Sequence, residues 1–169
     1  VSGAPYRNRT LDTNGDGTDD TVYRLGDIVH STPTVVSKPS ENYDLLYNDD
    51  AYRVFKKHYQ KRRTVVYAGA NDGMLHAFNG GFYDQIRKKF LLRPEIWSSA
   101  ANNGAGGYIA DPSVSVTEFD LGSELWGYIP NAILPHLKWL KETLSEQRHI
   151  YQVDLKPRIF DARIFTEEG

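Results

Sequence analysis

Residues 64–79 read Thr-Val-Val-Tyr-Ala-Gly-Ala-Asn-Asp-Gly-Met-Leu-His-Ala-Phe-Asn. Two apolar, strand-forming runs flank Asn71-Asp72-Gly73, and a turn of this type uses a glycine that tolerates positive φ. The segment therefore predicts a hairpin with strands near 64–70 and 74–79. Val65, Tyr67, Leu75 and Phe78 demand burial, and an isolated hairpin is at best marginally stable in water. Further strands or helices must cover it.

Candidates for that cover lie on both sides. Thr21 to Ser37 reads as extended, with Val35 and Val36 as its best strand formers. Asn48 or Asp49 can cap a helix running to about Lys61, with Val54, Phe55, His58 and Tyr59 on one face. Residues 80–117 read as an insertion, with a helix over Tyr83–Leu92 stopped by Pro94 and a Gly/Ala/Asn-rich loop over 98–107. Gly122-Ser123-Glu124-Leu125-Trp126 starts another strand, and Ile133, Leu137, Leu140 and Leu144 share a helical face. Residues 152–165 return to strand, where Lys156-Pro157-Arg158-Ile159-Phe160 parallels Thr32-Pro33-Thr34-Val35-Val36. The fold class is mainly β with inserted helices (about 48–62, 80–117 and 131–147), a partial β-propeller of about one four-stranded blade plus the start of the next. Residues 1–20 form a separate polar loop region ahead of this body at 21–169.

Composition narrows the chemistry. Twenty basic and 22 acidic residues nearly cancel to a net charge of -2, which offers no general reason to bind nucleic acid. Cysteine is absent, which excludes disulfides, thiolate catalysis and Cys-ligated metal. No apolar run is long enough for a transmembrane segment. The chain starts at Val1 without a leader pattern, as expected of a fragment or a processed chain.

The sharpest motif is Asp12-Thr13-Asn14-Gly15-Asp16-Gly17-Thr18-Asp19-Asp20. Asp12, Asn14, Asp16 and Asp20 take loop positions 1, 3, 5 and 9, and Gly17 takes position 6, as in an EF-hand-like calcium loop. Thr18 would supply its carbonyl from position 7. A hard dication takes six to eight oxygens at about 2.3–2.6 Å, and it offsets repulsion between crowded carboxylates. Position 12 is Tyr23 rather than a bidentate Glu, so another ligand or water must complete the shell. The competing reading is a solvated Asx-rich turn. No spacing among the five histidines suggests zinc, and Gly104-Ala105-Gly106-Gly107 lacks a nucleotide-binding pattern. Lys61-Arg62-Arg63 and Arg87-Lys88-Lys89 read as solvated cationic faces, or as a polyanion or partner patch.

Three longer stretches carry a family resemblance: Gly26-Asp27-Ile28-Val29-His30-Ser31-Thr32-Pro33, then Gly69 to Phe78, then Trp126-Gly127-Tyr128-Ile129-Pro130-Asn131-Ala132-Ile133-Leu134-Pro135. Together they resemble the PilC/PilY family of type IV pilus tip proteins, whose blade repeats are quinoprotein-like. Tyr151 to Pro157 is similar to that family's next blade start, although Leu155-Lys156 replaces a small pair often found there. The resemblance implies a modified propeller with a calcium loop at Asp12, Asn14, Asp16, Thr18 and Asp20. It also implies roles in pilus biogenesis, surface adhesion and twitching motility, with calcium linked to the balance of extension and retraction.

The expected function is a calcium-binding, non-enzymatic module at the extracellular pilus tip or outer-membrane surface. Its expected partners are other pilus tip or minor pilin proteins, or the rest of its own propeller, with a host or surface receptor beyond them. The helices at 83–92 and 133–144 are the expected covers of the open blade. A fragment of a quinone-dependent dehydrogenase is one alternative, although those enzymes need a full propeller and usually a vicinal cysteine pair. A dockerin-like scaffold module is another, although dockerins pair two calcium loops.

Overall fold

The computed structural model describes residues 10–12, 14–18, 21–22, 25–140 and 151–162. They fall into two compact units. The first takes Ala68–His76 and the described residues of Val1–Pro33 and Gly127–Pro157; the second takes Thr34–Tyr67, Ala77–Trp126 and the described residues of Arg158–Gly169.

In the first unit, strands β1 (Thr10–Leu11) and β2 (Thr21–Val22) pair antiparallel, Thr10 opposite Val22 and Leu11 opposite Thr21. The hairpin turn at Asn71–Gly73 belongs here. Gly73 sits at φ +86°, the Gly73 N–H donates to the Ala70 carbonyl, and the Ala70 N–H donates to the Met74 carbonyl at 3.0 Å. Asp72 consolidates the turn. Its Oδ1 accepts from the Met74 N–H, while Oδ2 accepts from the Gly26 N–H at 2.8 Å and lies 3.0 Å from His76 Nε2. Gly69 donates to the buried Ser31 Oγ at 2.9 Å, and a Cβ there would collide with the Val153 carbonyl oxygen. Residues 151–157 thus lie beside the turn, and Asp154 accepts from the His30 N–H at 3.1 Å.

The expected strand over 152–165 does not form: residues 151–162 contain no strand, and 163–165 lie outside the described residues. Pro157 removes a ladder donor, and Asp154 spends its carboxylate on the His30 backbone. The leucine-faced helix expected from Ile133 is a 3-10 helix over Leu134–Leu140, while 141–147 lie outside the described residues.

A five-stranded sheet lies mostly in the second unit, while residues 68–69, 75–76 and 127–128 of its strands fall in the first. Strands β3 (Thr34–Val36), β4 (Thr64–Gly69), β5 (Leu75–Asp84) and β6 (Lys89–Leu91) are neighbours in that order, and β9 (Glu124–Tyr128) also pairs with β5. β3 and β4 are antiparallel, with Val35 opposite Val66. The strands expected around the hairpin therefore share one sheet. Before it come α1 (Tyr43–Leu46) and α2 (Asp50–His58). The expected cap is present: Asp49 Oδ1 accepts from the Tyr52 N–H at 3.0 Å.

The helix expected over Tyr83–Leu92 is instead a hairpin of β5 and β6, with Tyr83 opposite Phe90. Its cause is local. Asp84 Oδ1 accepts the N–H groups of Ile86 and Arg87, which closes a turn, and Lys88 follows at φ +55°. The Asp84–Arg87 spacing suits a helix and a turn equally, and the turn wins because Arg87 also pairs with Glu95 at 2.8 Å and lies over the Tyr108 ring at 3.8 Å. Glu95 and Tyr108 belong to a second hairpin of β7 (Glu95–Ser98) and β8 (Gly107–Ala110). The 80–117 insertion is thus built of strands, with one short 3-10 turn at Asn102–Gly104.

Asp111 follows β8 and is buried. The Lys61 ammonium, helped by the Ser113 hydroxyl and N–H, holds its carboxyl down at about 2. A carboxyl depressed from about 3.8 stabilises the fold fully above that value, and the contribution is lost as pH falls toward 2. Lys61→Met should move this acid loss to higher pH, read by denaturant titrations between pH 5 and 2. An identical pH dependence in the variant would contradict the pairing.

Candidate functional site

The Asp12–Asp20 motif begins where β1 ends and stops where β2 begins. The two-residue ladder therefore clamps both ends of the loop, in place of the helices that flank an EF-hand. Inside it, side chains and backbone form a chain of Asx turns. Asp12 Oδ1 accepts from the N–H groups of Asn14 (3.2 Å) and Gly15 (2.6 Å), and Oδ2 accepts from Gly17 at 2.8 Å. Asn14 Oδ1 accepts from the Asp16 N–H at 3.0 Å, and Asp16 Oδ1 accepts from the Thr18 N–H at 2.8 Å and from the Thr18 hydroxyl. Asn14 Nδ2 donates to Asp16 Oδ2 at 3.1 Å. Gly15 and Gly17, at φ +79° and +86°, supply the left-handed bends between these turns.

The loop so formed is anionic and gathers oxygens. The N–H groups of Gly17 and Gly15 lower the Asp12 pKa, and the Thr18 hydroxyl and N–H lower that of Asp16. Both therefore stay ionised, the state a dication needs. Asp12 Oδ2, Asn14 Oδ1 and Asp16 Oδ2 each accept one hydrogen bond, which leaves each a lone-pair direction for a cation. Asp12, Asn14, Asp16 and Thr18 are brought together; Asp20 lies outside the described residues. Among the described residues no three His, Cys, Asp or Glu side chains converge. The two carboxylates and one amide oxygen gathered here are of the type that suits a hard, oxygen-seeking ion and no soft metal.

Sequence reasoning missed two polar centres away from the loop. One is Asp72 with Gly26 and His76. The other is Asn79, whose side chain bonds Arg63, Gly81 and two carbonyls. Asn79 could have been suspected from its place before Gly80-Gly81, where a strand must bend; nothing local pointed to Gly26. Among the described residues, no helix is long and apolar enough to cross a membrane.

A 59-residue stretch, 32% of the chain, is 48% identical to the type IV pilus biogenesis factor PilY1 of Pseudomonas aeruginosa (strain UCBPP-PA14) and covers 5% of that protein. Two PilY1 homologs of Xylella fastidiosa (strain Temecula1 / ATCC 700964) are similar over more of the chain. One is 29% identical over 133 residues, 77% of this chain and 8% of its own length; the other is 27% identical over 147 residues, 82% and 7%. The chain thus spans well under a tenth of the length of these relatives. No family model matches it, and no solved structure does. Over the small part of these proteins that it spans, the chain is similar to type IV pilus biogenesis factors of the PilY1 kind.

Proposed function

We propose that this chain is a calcium-binding, non-enzymatic part of a type IV pilus biogenesis protein, displayed at the pilus or bacterial surface and working in pilus assembly and adhesion. The observation that carries the reading is the run of Asx turns from Asp12 to Thr18, held between β1 and β2, in a chain similar to PilY1. Calcium, when bound, would neutralise the loop carboxylates and tie the two strand ends together. Asp12, Asn14 and Asp16 would bind it through side-chain oxygens, Thr18 through its carbonyl, and Asp20 directly or through water.

The second part of the proposal concerns the sheet. Neighbouring strands β3, β4, β5 and β9 have the makings of one propeller blade whose faces meet further protein. Exposed apolar side chains support this: Val35 is 62% exposed, Trp126 45% and Tyr128 55%. Uncovered apolar surface of this kind marks interaction faces. The rest of the same protein or other pilus-tip components would cover it.

Calorimetric titration of the protein tests the loop. One calcium site is expected, micromolar or weaker because the bidentate Glu is missing, with calcium preferred over magnesium. Asp12→Ala/Asp16→Ala should abolish binding at about 1 mM calcium, near the weak limit for extracellular sites. The same variant in cells should change the number of surface pili. Unchanged calcium binding by the double variant would remove the site; lost binding with unchanged piliation would remove the role.

A further inference from the structure

A cleft lies in the second unit, far in sequence from the Asp12–Asp20 loop. Lys38, Pro39, Lys56, Gln60, Lys61 and Gln85 line a cleft of about 390 Å3. They come from the β3–α1 connection, from α2 and the turn after it, and from the turn between β5 and β6. No carboxylate lines the cleft. Two of its three lysines already have partners. Lys56 Nζ donates to the Glu41 carbonyl at 2.9 Å and to Asn42 Oδ1 at 3.2 Å, and it pairs with Asp44 at 3.5 Å. Lys61 Nζ pairs with Asp111.

Those partners decide what the cleft can do. Lysines near a helix C-terminus usually just complement its dipole from solvent. Here Lys56 and Lys61, two of the lining residues, are already held by fixed oxygens, so less side-chain entropy is lost when an anion arrives. Three cations against two supporting carboxylates leave the cleft net positive. Lys38 makes no ion pair among the described residues, so its charge is uncompensated. Gln60 and Gln85 make no side-chain hydrogen bonds among the described residues, and each offers an amide donor and acceptor. Buried Pro39 gives an apolar wall.

We infer that this cleft binds an acidic saccharide. Lys38, Lys56 and Lys61 would receive its carboxylate or phosphate, and Gln60 and Gln85 would bond its hydroxyls. The volume suits one or two sugar rings and falls within the usual range of small-ligand sites, about 300–1,000 Å3. Inorganic phosphate alone would use the cations and leave the amides unused.

The test is an NMR titration of the protein with three probes: inorganic phosphate, glucose 6-phosphate and glucuronic acid. Both sugars should shift the amide signals of Lys38, Gln60, Lys61 and Gln85, and they should bind several-fold tighter than inorganic phosphate. Lys38→Gln should weaken the sugars about fivefold, the size of one charge-assisted contact, and added salt should weaken them further. Gln85→Ala should weaken the sugars and leave phosphate unchanged. Equal affinity for phosphate and both sugars would overturn the saccharide assignment. Shifts spread equally to Lys88 and Lys89, or no response to Lys38→Gln, would overturn the site itself.

Discussion

Gly73→Val should unfold the first unit or leave it barely stable. Two penalties add. The residue sits at φ +86°, where a β-branched side chain is strained by about 1–3 kcal/mol. A Cβ there would lie 2.5 Å from Gln152 Oε1 and 2.9 Å from both Ile133 Cγ2 and Leu137 Cδ2. Overpacking of this kind costs about 1–3 kcal/mol more. The sum, roughly 2–6 kcal/mol, is a large share of the 5–15 kcal/mol that holds an ordinary domain. Gly122→Val is the control, because Gly122 has φ +81° but nothing within 4 Å of its Cβ position. Denaturant melts should show Gly73→Val losing clearly more than Gly122→Val. Equal losses would mean that strain alone acts and that the packing around the turn is not as described.

Asn79→Ala should cost about 2–4 kcal/mol, a large effect for a polar residue. Asn79 is 1% exposed, and its amide makes four hydrogen bonds. Its oxygen accepts from Arg63 Nη1 at 2.8 Å and from the Gly81 N–H at 2.9 Å. Its nitrogen donates to the carbonyls of Phe119 at 2.7 Å and Asp120 at 3.0 Å. Alanine would leave these groups without their partner; the Gly81 N–H is buried, and an unsatisfied buried group costs about 1–3 kcal/mol, with smaller losses at the half-buried bonds adding to it. Arg63, stacked against the rings of Phe82 and Phe119, would lose an anchor as well. Asn79→Asp should be no better, since a carboxylate cannot donate to the two carbonyls. Thermal melts of both variants are the measurement. A wild-type transition in Asn79→Ala would mean that the network does not hold the 117–123 segment against the sheet.

The two predictions separate what is visible in the chain from what is not. Gly73 could be chosen from sequence, because Asn-Asp-Gly between two apolar runs admits few conformations. Its neighbours Gln152, Ile133 and Leu137 could not be chosen, because their approach depends on how distant segments meet. Asn79 shows the same divide. The sequence suggests a strand end before Gly80-Gly81, whereas β5 runs on through them to Asp84, and the partners of Asn79 at 63, 81, 119 and 120 arise only from the fold.

By itself the sequence determined the features written in short-range physics. These are the hairpin turn, the Asp49 cap of α2, the grouping of β3, β4, β5 and β9, and the alternating oxygens from Asp12 to Thr18. Each depends on backbone freedom or on side chains a few residues apart. Tertiary structure alone decided residues 83–92 and the basic cleft. At Asp84–Arg87 one spacing satisfies both a helix and a turn, and the choice fell to Glu95 and Tyr108, which meet Arg87 only after two hairpins dock. The cleft draws Lys38, Lys56, Lys61 and Gln85 from separate segments, and their charges matter together only once folding brings them around one space.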